Sequence, residues 1–342
     1  MKLGCSVLGA ALAAAMLAFA PATHAQPTNL RLHGALLPSD PSTKAMAIFK
    51  TEAERLSGGT LEIEVAPTSP LVDVTRDLVD ELRTQSTFGI WIGASYLSRL
   101  VPEIGVLGLP FVFDNFDQMV RAINGPAGSL IEAKLAAKGF TTLGWMDWGA
   151  RNVVNAKRPL RTPDDFKGLK LRSLPNETHL AVFRAMGANP VGMDIKDALL
   201  ALRQGDLEGM ETSYVGIDDL KLYDYGNRYL SNSAHIHDVI MLVANKKALT
   251  SLQPREQRAI REAAVTACAQ QRKIWAARDA EAFEKLKEKG MQFDSLPPET
   301  RAALRQATAV VVDDVRKRLG NKLVDEVLAA TRGGGKSNHT RL

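Results

Sequence analysis

Thr162-Pro163-Asp164-Asp165-Phe166-Lys167-Gly168-Leu169-Lys170-Leu171-Arg172 packs a helix start, a strand and a terminal arginine into one short stretch. Thr162 brings the hydroxyl of an N-cap. Pro163 suits the first helical position because it lacks the N–H that a helix start leaves unpaired. Asp164 and Asp165 place negative charge at the positive end of the helix dipole. Leu169 to Arg172 then reads as a strand. Working outward, helices are predicted from about Asn176 to Met186, stopped at Gly187, and from about Asp194 to Gln204, stopped at Gly205, with a short strand over Glu208–Glu211. Upstream, Leu30–Leu32 alternates as a strand. Ser42 or Asp40 caps a helix with Ala45, Phe49, Ala53 and Leu56 on one face, and Gly58-Gly59 ends it. A strand at Leu61–Val65, a helix around Val74–Leu82 and a strand at Thr87–Gly93 follow. The upstream order is βαβαβ and the second run repeats the α/β logic, so the fold class is α/β with mainly parallel sheet in two lobes. Val239–Asn245 is a further, strongly apolar strand. Pro254 to Gly290 contains no internal Pro or Gly and predicts one helix of about 35 residues, roughly 50 Å at 1.5 Å per residue. That is longer than one lobe needs, and the helix is expected to span both. A cleft between the lobes is the expected ligand site.

Composition excludes several classes. The 342 residues are 45% hydrophobic and 24% charged, an ordinary globular balance. The net charge of +5 is scattered, with no basic run interleaved with aromatics, so no nucleic-acid partner is expected. Met1-Lys2, the apolar stretch Val7–Ala20, Pro21 and the small residues of Thr23-His24-Ala25 form a cleavable signal peptide over residues 1–25. Its apolar run is shorter than the ~20 residues of a membrane span. The mature chain from Gln26 is thus expected in the periplasm. Cleavage removes Cys5 and leaves Cys268, which cannot form an internal disulfide or a cysteine zinc cluster. Lobe I is expected over 26–148 and 238–277, lobe II over 149–237 and 278–330, and a disordered tail over 331–342.

Nothing in the chain supports catalysis. There is no nucleophile elbow, phosphate-binding loop or dinucleotide fingerprint. His235-x-His237 sets two imidazoles on one strand, a pair that a metal could use, but no third ligand at metal spacing accompanies them. The plainer reading makes them satisfied polar residues at a hinge or cleft edge, with His237 facing the cleft. No cofactor and no metal are expected. The arginines are more telling. Arg172 ends its strand, and the carboxyl ends of parallel strands face the ligand crevice. A planar, permanently charged guanidinium there grips a carboxylate with two hydrogen bonds. The competing reading is a surface arginine paired with Asp164 or Asp165. Arg151, after Gly149-Ala150, is a second candidate, and Trp148, Trp91 and Tyr214 are either cleft aromatics or core.

The chain over about residues 28–325 resembles the solute-binding proteins of tripartite ATP-independent periplasmic (TRAP) transporters, typified by the C4-dicarboxylate binders. The marks, in order, are Leu109-Pro110-Phe111-Val112-Phe113, Gly144-Trp145 leading to Gly149-Ala150-Arg151, Pro159 through Arg172, Gly187-Ala188-Asn189-Pro190-Val191-Gly192-Met193, and Ala201-Leu202-Arg203-Gln204-Gly205. The resemblance implies a two-lobed periplasmic binding protein fold crossed by a long helix. It implies a small organic acid as ligand, TRAP membrane permease subunits as transient partners, Arg172 as the carboxylate anchor and Arg151 as a second basic group. It also implies that Ile195, Gly93 and Tyr96 line the pocket. Where the family commonly has Glu-Asn-Pro, with Asn contacting ligand, this chain has Glu211-Thr212-Ser213. Thr212 offers a hydroxyl and no amide, so dicarboxylate, sialic-acid-like and sugar-acid classes are not carried over. Ile195 and the aromatics hint at an acid with an apolar body. The rival readings are a binding protein serving a receptor or another transporter, and a metal-dependent periplasmic enzyme using His235 and His237.

Overall fold

The computed structural model describes residues 26–67 and 77–332. The expected signal peptide, the first turn of the helix expected from Val74, and residues 333–342 lie outside them. The strands are β1 (Thr28–Gly34), β2 (Leu61–Pro67), β3 (Gly89–Gly93), β4 (Phe140–Asn155), β5 (Lys170–Ser173), β6 (Asn189–Gly192), β7 (Gly209–Thr212), β8 (Tyr229–Asn245) and β9 (Gln292–Ser295). They form one nine-stranded sheet in the order β2-β1-β3-β8-β4-β7-β5-β6, with β9 added to β8. β1 is parallel to β2 and β3, and β5 is parallel to β6 and β7. These are the two parallel units that the sequence pattern predicts.

What joins them is less legible in the sequence. β4 and β8 run antiparallel along their whole length, interrupted by register shifts at Thr142/Gly144, Asp147/Ala150 and Arg151/Val153. One end of β8 pairs with β3, and the far end of β4 pairs with β7. The lobes therefore share two strands that act as the hinge. The sequence reading found only Val239–Asn245 of β8, because the preceding Tyr229–His237 is too polar to read as buried strand. The central shift in β4 is turned by Gly149, at φ 78°, a left-handed conformation that a side chain resists.

Helix Pro41–Ser57 is capped by Asp40, which accepts from the Ser42 amide at 2.7 Å, and it ends on Gly58 at φ 73°. Its Met46, Phe49 and Ala53 enter a core with Leu32 and Ile63 that is closed by Ile260, Ala263, Ala264 and Ala267 of the helix Pro254–Glu288. That helix is 35 residues long. Further along it, Trp275 and Ala282 pack on Val215, and Leu286 enters a core with Val154 and Met210. It spans both lobes, as its length required. Thr162 opens only a four-residue 3-10 turn, Pro163–Phe166, with a capping box to Asp165. The C-terminal helix Asn321–Arg332 packs on helices Phe116–Ile123 and Pro126–Ala137. Thr331 and Arg332 are thus helical rather than part of a tail. Among the described residues no helix is long and apolar enough to cross a membrane.

Candidate ligand-binding cleft

A cavity lies where β1, β3, β5 and β7 end, with about 690 Å³ of space free of atoms, its open mouth included. Parallel strands present their carboxyl ends to one crevice. Hence the residues just after β1, the last residue of β3 and the ends of β5 and β7 meet here. Of the residues singled out in the sequence, Gly93, Tyr96, Trp148, Arg151, Arg172, Ile195 and Thr212 line this cavity. Tyr214 and His237 do not. Tyr214 stacks with Phe283 and Phe293 at centroid distances of 5.2 and 6.4 Å, and burial pushes its hydroxyl pKa up to about 12. His237 bonds through Nε2 to Asp147 Oδ1 at 2.8 Å and sits against Phe116 beside the hinge. Trp91 belongs to the core around Met46 and Phe49. Gly93 works by being small, since a Cβ there would run into the Trp148 ring.

The two arginines differ in how their charge is met. Arg151 is 1% exposed. It bonds through Nε to the Glu211 carboxylate and through Nη2 to the Glu211 carbonyl at 2.9 Å, and its Nη1 lies 3.6 Å from Asp238. Burial raises the Glu211 pKa, but the adjacent guanidinium outweighs it and holds the group at about 2. Arg151 also lies 5.2 Å over the Trp148 ring. Its charge is therefore met by two carboxylates of the protein itself, and its guanidinium packs on Trp148. Arg172 is 2% exposed. Its Nε donates to the Met193 carbonyl at 2.9 Å and its Nη2 to the Tyr96 hydroxyl at 3.1 Å. Among the described residues no carboxylate forms an ion pair with it. The two surface candidates are engaged elsewhere: Asp164 pairs with Lys167 at 2.8 Å, and Asp165 accepts from the Thr162 amide at 2.7 Å. A buried cation without a counter-charge costs several kcal/mol, and an anion entering the cavity would offset that cost.

Behind Arg151 lies a cluster of buried polar groups in which, among the described residues, His179 Nδ1 and His235 Nε2 have no hydrogen-bond partner. Ser95 Oγ lies 3.1 Å from His179 Nε2 and 3.1 Å from Asp238 Oδ2, and His235 Nδ1 lies 2.8 Å from Ser233. Burial lowers the His179 pKa to about 3 and that of His235 to about 4, so both imidazoles are neutral at pH 7. Among the described residues no group of three His, Cys, Asp or Glu side chains is arranged to hold a metal ion. The sequence reading missed Asp40, Asp219 and the segment Ala35–Leu37, all of which line the cavity. Ala35–Leu37 follows directly from β1, so the rule that singled out Arg172 would have found it. Asp40 was read only as a helix cap.

The family model for DctP, bacterial extracellular solute-binding protein family 7, matches residues 33–318. The chain belongs to this family. Like its relatives, this family 7 protein binds a solute and is not an enzyme. A solute-binding protein of Chromohalobacter salexigens is 30% identical over 275 residues, covering 80% of this chain and 81% of the relative. Among solved structures, the sugar acid binding protein of Advenella mimigardefordensis in complex with galactonate superposes with a TM-score of 0.85 at 29% identity, covering 90% of this chain and 98% of the other. A TRAP periplasmic solute-binding protein of Ralstonia eutropha with bound (S)-2-acetolactate gives 0.82 at 29% identity, covering 89% and 98%. The family 7 protein thus shares the two-lobed α/β fold of TRAP solute-binding proteins.

Proposed function

We propose that this protein captures a small organic acid in the periplasm, after export on the segment 1–25, and delivers it to the membrane subunits of a TRAP transporter. The observation that carries the carboxylate reading is Arg172, buried in the cavity wall and without a carboxylate partner among the described residues. Its planar fork takes the ligand carboxylate with two parallel bonds. Tyr96 holds the guanidinium in place from the other lobe, Thr212 offers a hydroxyl, and Trp148 and Ile195 meet the ligand's body. Galactonate and acetolactate, bound by the two similar proteins, share a carboxylate with a hydroxyl on the adjacent carbon and differ in the rest, which supports the carboxylate end as the common handle. Lobe boundaries at 148/149 and 237/238 fit this reading, because they fall within β4 and β8 beside the cavity. Closing the lobes buries the ligand and presents one closed surface to the permease.

A thermal-shift screen against a library of carboxylic acids tests this. A ligand at about a hundred times its dissociation constant stabilises by about 2.7 kcal/mol. Arg172→Ala is expected to weaken binding by about 2–5 kcal/mol, and Arg172→Lys to recover only part of it, since an ammonium lacks the fork. A hit that keeps its affinity in Arg172→Ala would refute the anchor.

A further inference from the structure

We infer that the cavity has a second polar end, at which Asp40 selects acids that carry a hydrogen-bond donor, a hydroxyl or an ammonium group, away from the carboxylate. The inference rests on Arg172 taking the carboxylate. Asp40 and Asp219 line the same cavity as Arg172. Asp40 is only 6% exposed. Its Oδ1 accepts from the Ser42 amide and hydroxyl. Among the described residues no donor reaches its Oδ2 and no cation forms an ion pair with it. Asp219, by contrast, is met by Arg278 at 2.7 Å and by the Ser39 hydroxyl at 3.1 Å. The charged groups acting most on Asp40 are Asp219 and Arg278.

Between the Arg172 and Asp40 ends the wall is apolar, with Leu36, Leu174, Ile195 and Leu220. The ligand class is therefore an acid whose carboxylate and donor are separated by a compact hydrocarbon body. Closing the site over a hydrocarbon acid leaves the Asp40 oxygen buried and unpaired. A donor-bearing acid satisfies it. Burial and the neighbouring Asp219 raise the Asp40 pKa to about 6, so it is ionised at neutral pH and is a strong acceptor.

The test is calorimetric titration of the full mature chain with acids in three classes: hydrocarbon, hydroxyl-bearing and ammonium-bearing, matched in size. Wild type is expected to bind donor-bearing acids at least about tenfold more tightly than their hydrocarbon analogues. Serine and asparagine both serve as helix caps, so Asp40→Ser and Asp40→Asn keep the fold of helix Pro41–Ser57. Asp40→Ser is expected to abolish the preference by withdrawing the acceptor, with hydrocarbon acids gaining up to about tenfold in affinity because no unpaired carboxylate oxygen is left to bury. In Asp40→Asn the amide oxygen caps Ser42 and an N–H faces the cavity, from which a hydroxyl can accept and an ammonium cannot. A loss in that variant identifies an ammonium ligand, and a retained preference identifies a hydroxyl. The inference is overturned if hydrocarbon acids bind wild type as tightly as donor-bearing ones, or if Asp40→Ser leaves the preference intact. Binding of no acid in any class would remove the Arg172 reading as well, which separates the two failures.

Discussion

Arg151 and Arg172 stand on neighbouring sides of one cavity, equally buried, and should respond oppositely to removal. Taking away Arg151 leaves Glu211 and Asp238 without a cation in the interior. Breaking a buried pair from one side costs about 3–5 kcal/mol. Arg151→Met should lower stability by that order in urea denaturation of the ligand-free protein. Arg172→Met removes a cation that has no counter-charge among the described residues, and only two hydrogen bonds to neutral acceptors go with it. Its ligand-free stability should not fall, since relief of the uncompensated buried charge (several kcal/mol) outweighs the two lost hydrogen bonds (about 1–3 kcal/mol), while binding collapses. Equal destabilisation by the two variants would mean that Arg172 is as structurally compensated as Arg151. Sequence position put both arginines at the cavity but could not divide their roles. The division depends on Glu211 and Asp238, which come from β7 and β8 and lie 60 residues or more along the chain from Arg151.

At the scale of elements, local signals located most helices and parallel strands, because their caps are encoded in adjacent residues. Asn176 caps Glu177–Ala185, and Asp194 and Gly205 bracket Ile195–Gln204. The hinge was not legible in this way. β4 and β8 are bulged strands whose apolar pattern breaks at each register shift, and their pairing is a long-range fact. The polar cluster of Ser95, His179 and Asp238 escaped for the same reason, since its members come from three distant segments. Gly149 is the point where local and long-range demands meet. Its φ of 78° disfavours a side chain, and a Cβ there would lie 2.8 Å from Cζ2 of Trp275 on the long helix. Gly149→Ala should therefore cost about 1–3 kcal/mol, read as a lower urea midpoint. An unchanged midpoint would mean that the bulge and the long helix can move apart freely.

Across the whole molecule, buried and half-buried titratable groups have proton affinities that pull in opposite directions. His179 has a folded pKa of about 3, against about 6.5 for a free imidazole. On acidification the unfolded chain takes up that proton first. The stability owed to a neutral His179 is thus complete above pH 6.5 and is lost as pH falls toward 3, by about 1.4 kcal/mol per pH unit. His235 behaves likewise down to about 4. Asp40 and Asp279, both raised to about 6 mainly by burial, act the other way. Their folded forms bind protons that the unfolded chain does not yet hold, so they add stability as pH falls from 6 toward 3.8. The two imidazoles and the two carboxyls thus oppose each other between pH 6 and 5. His179→Asn removes one of the two imidazoles. Relative to wild type, it should gain about 1 kcal/mol between pH 6 and 5, whatever fixed cost the substitution carries at pH 7.5. Urea denaturation of both proteins at pH 7.5, 6 and 5 measures that difference directly. Parallel pH profiles would show that His179 titrates alike in the folded and unfolded chain, and the interior between the lobes would then have to admit water as freely as the surface does.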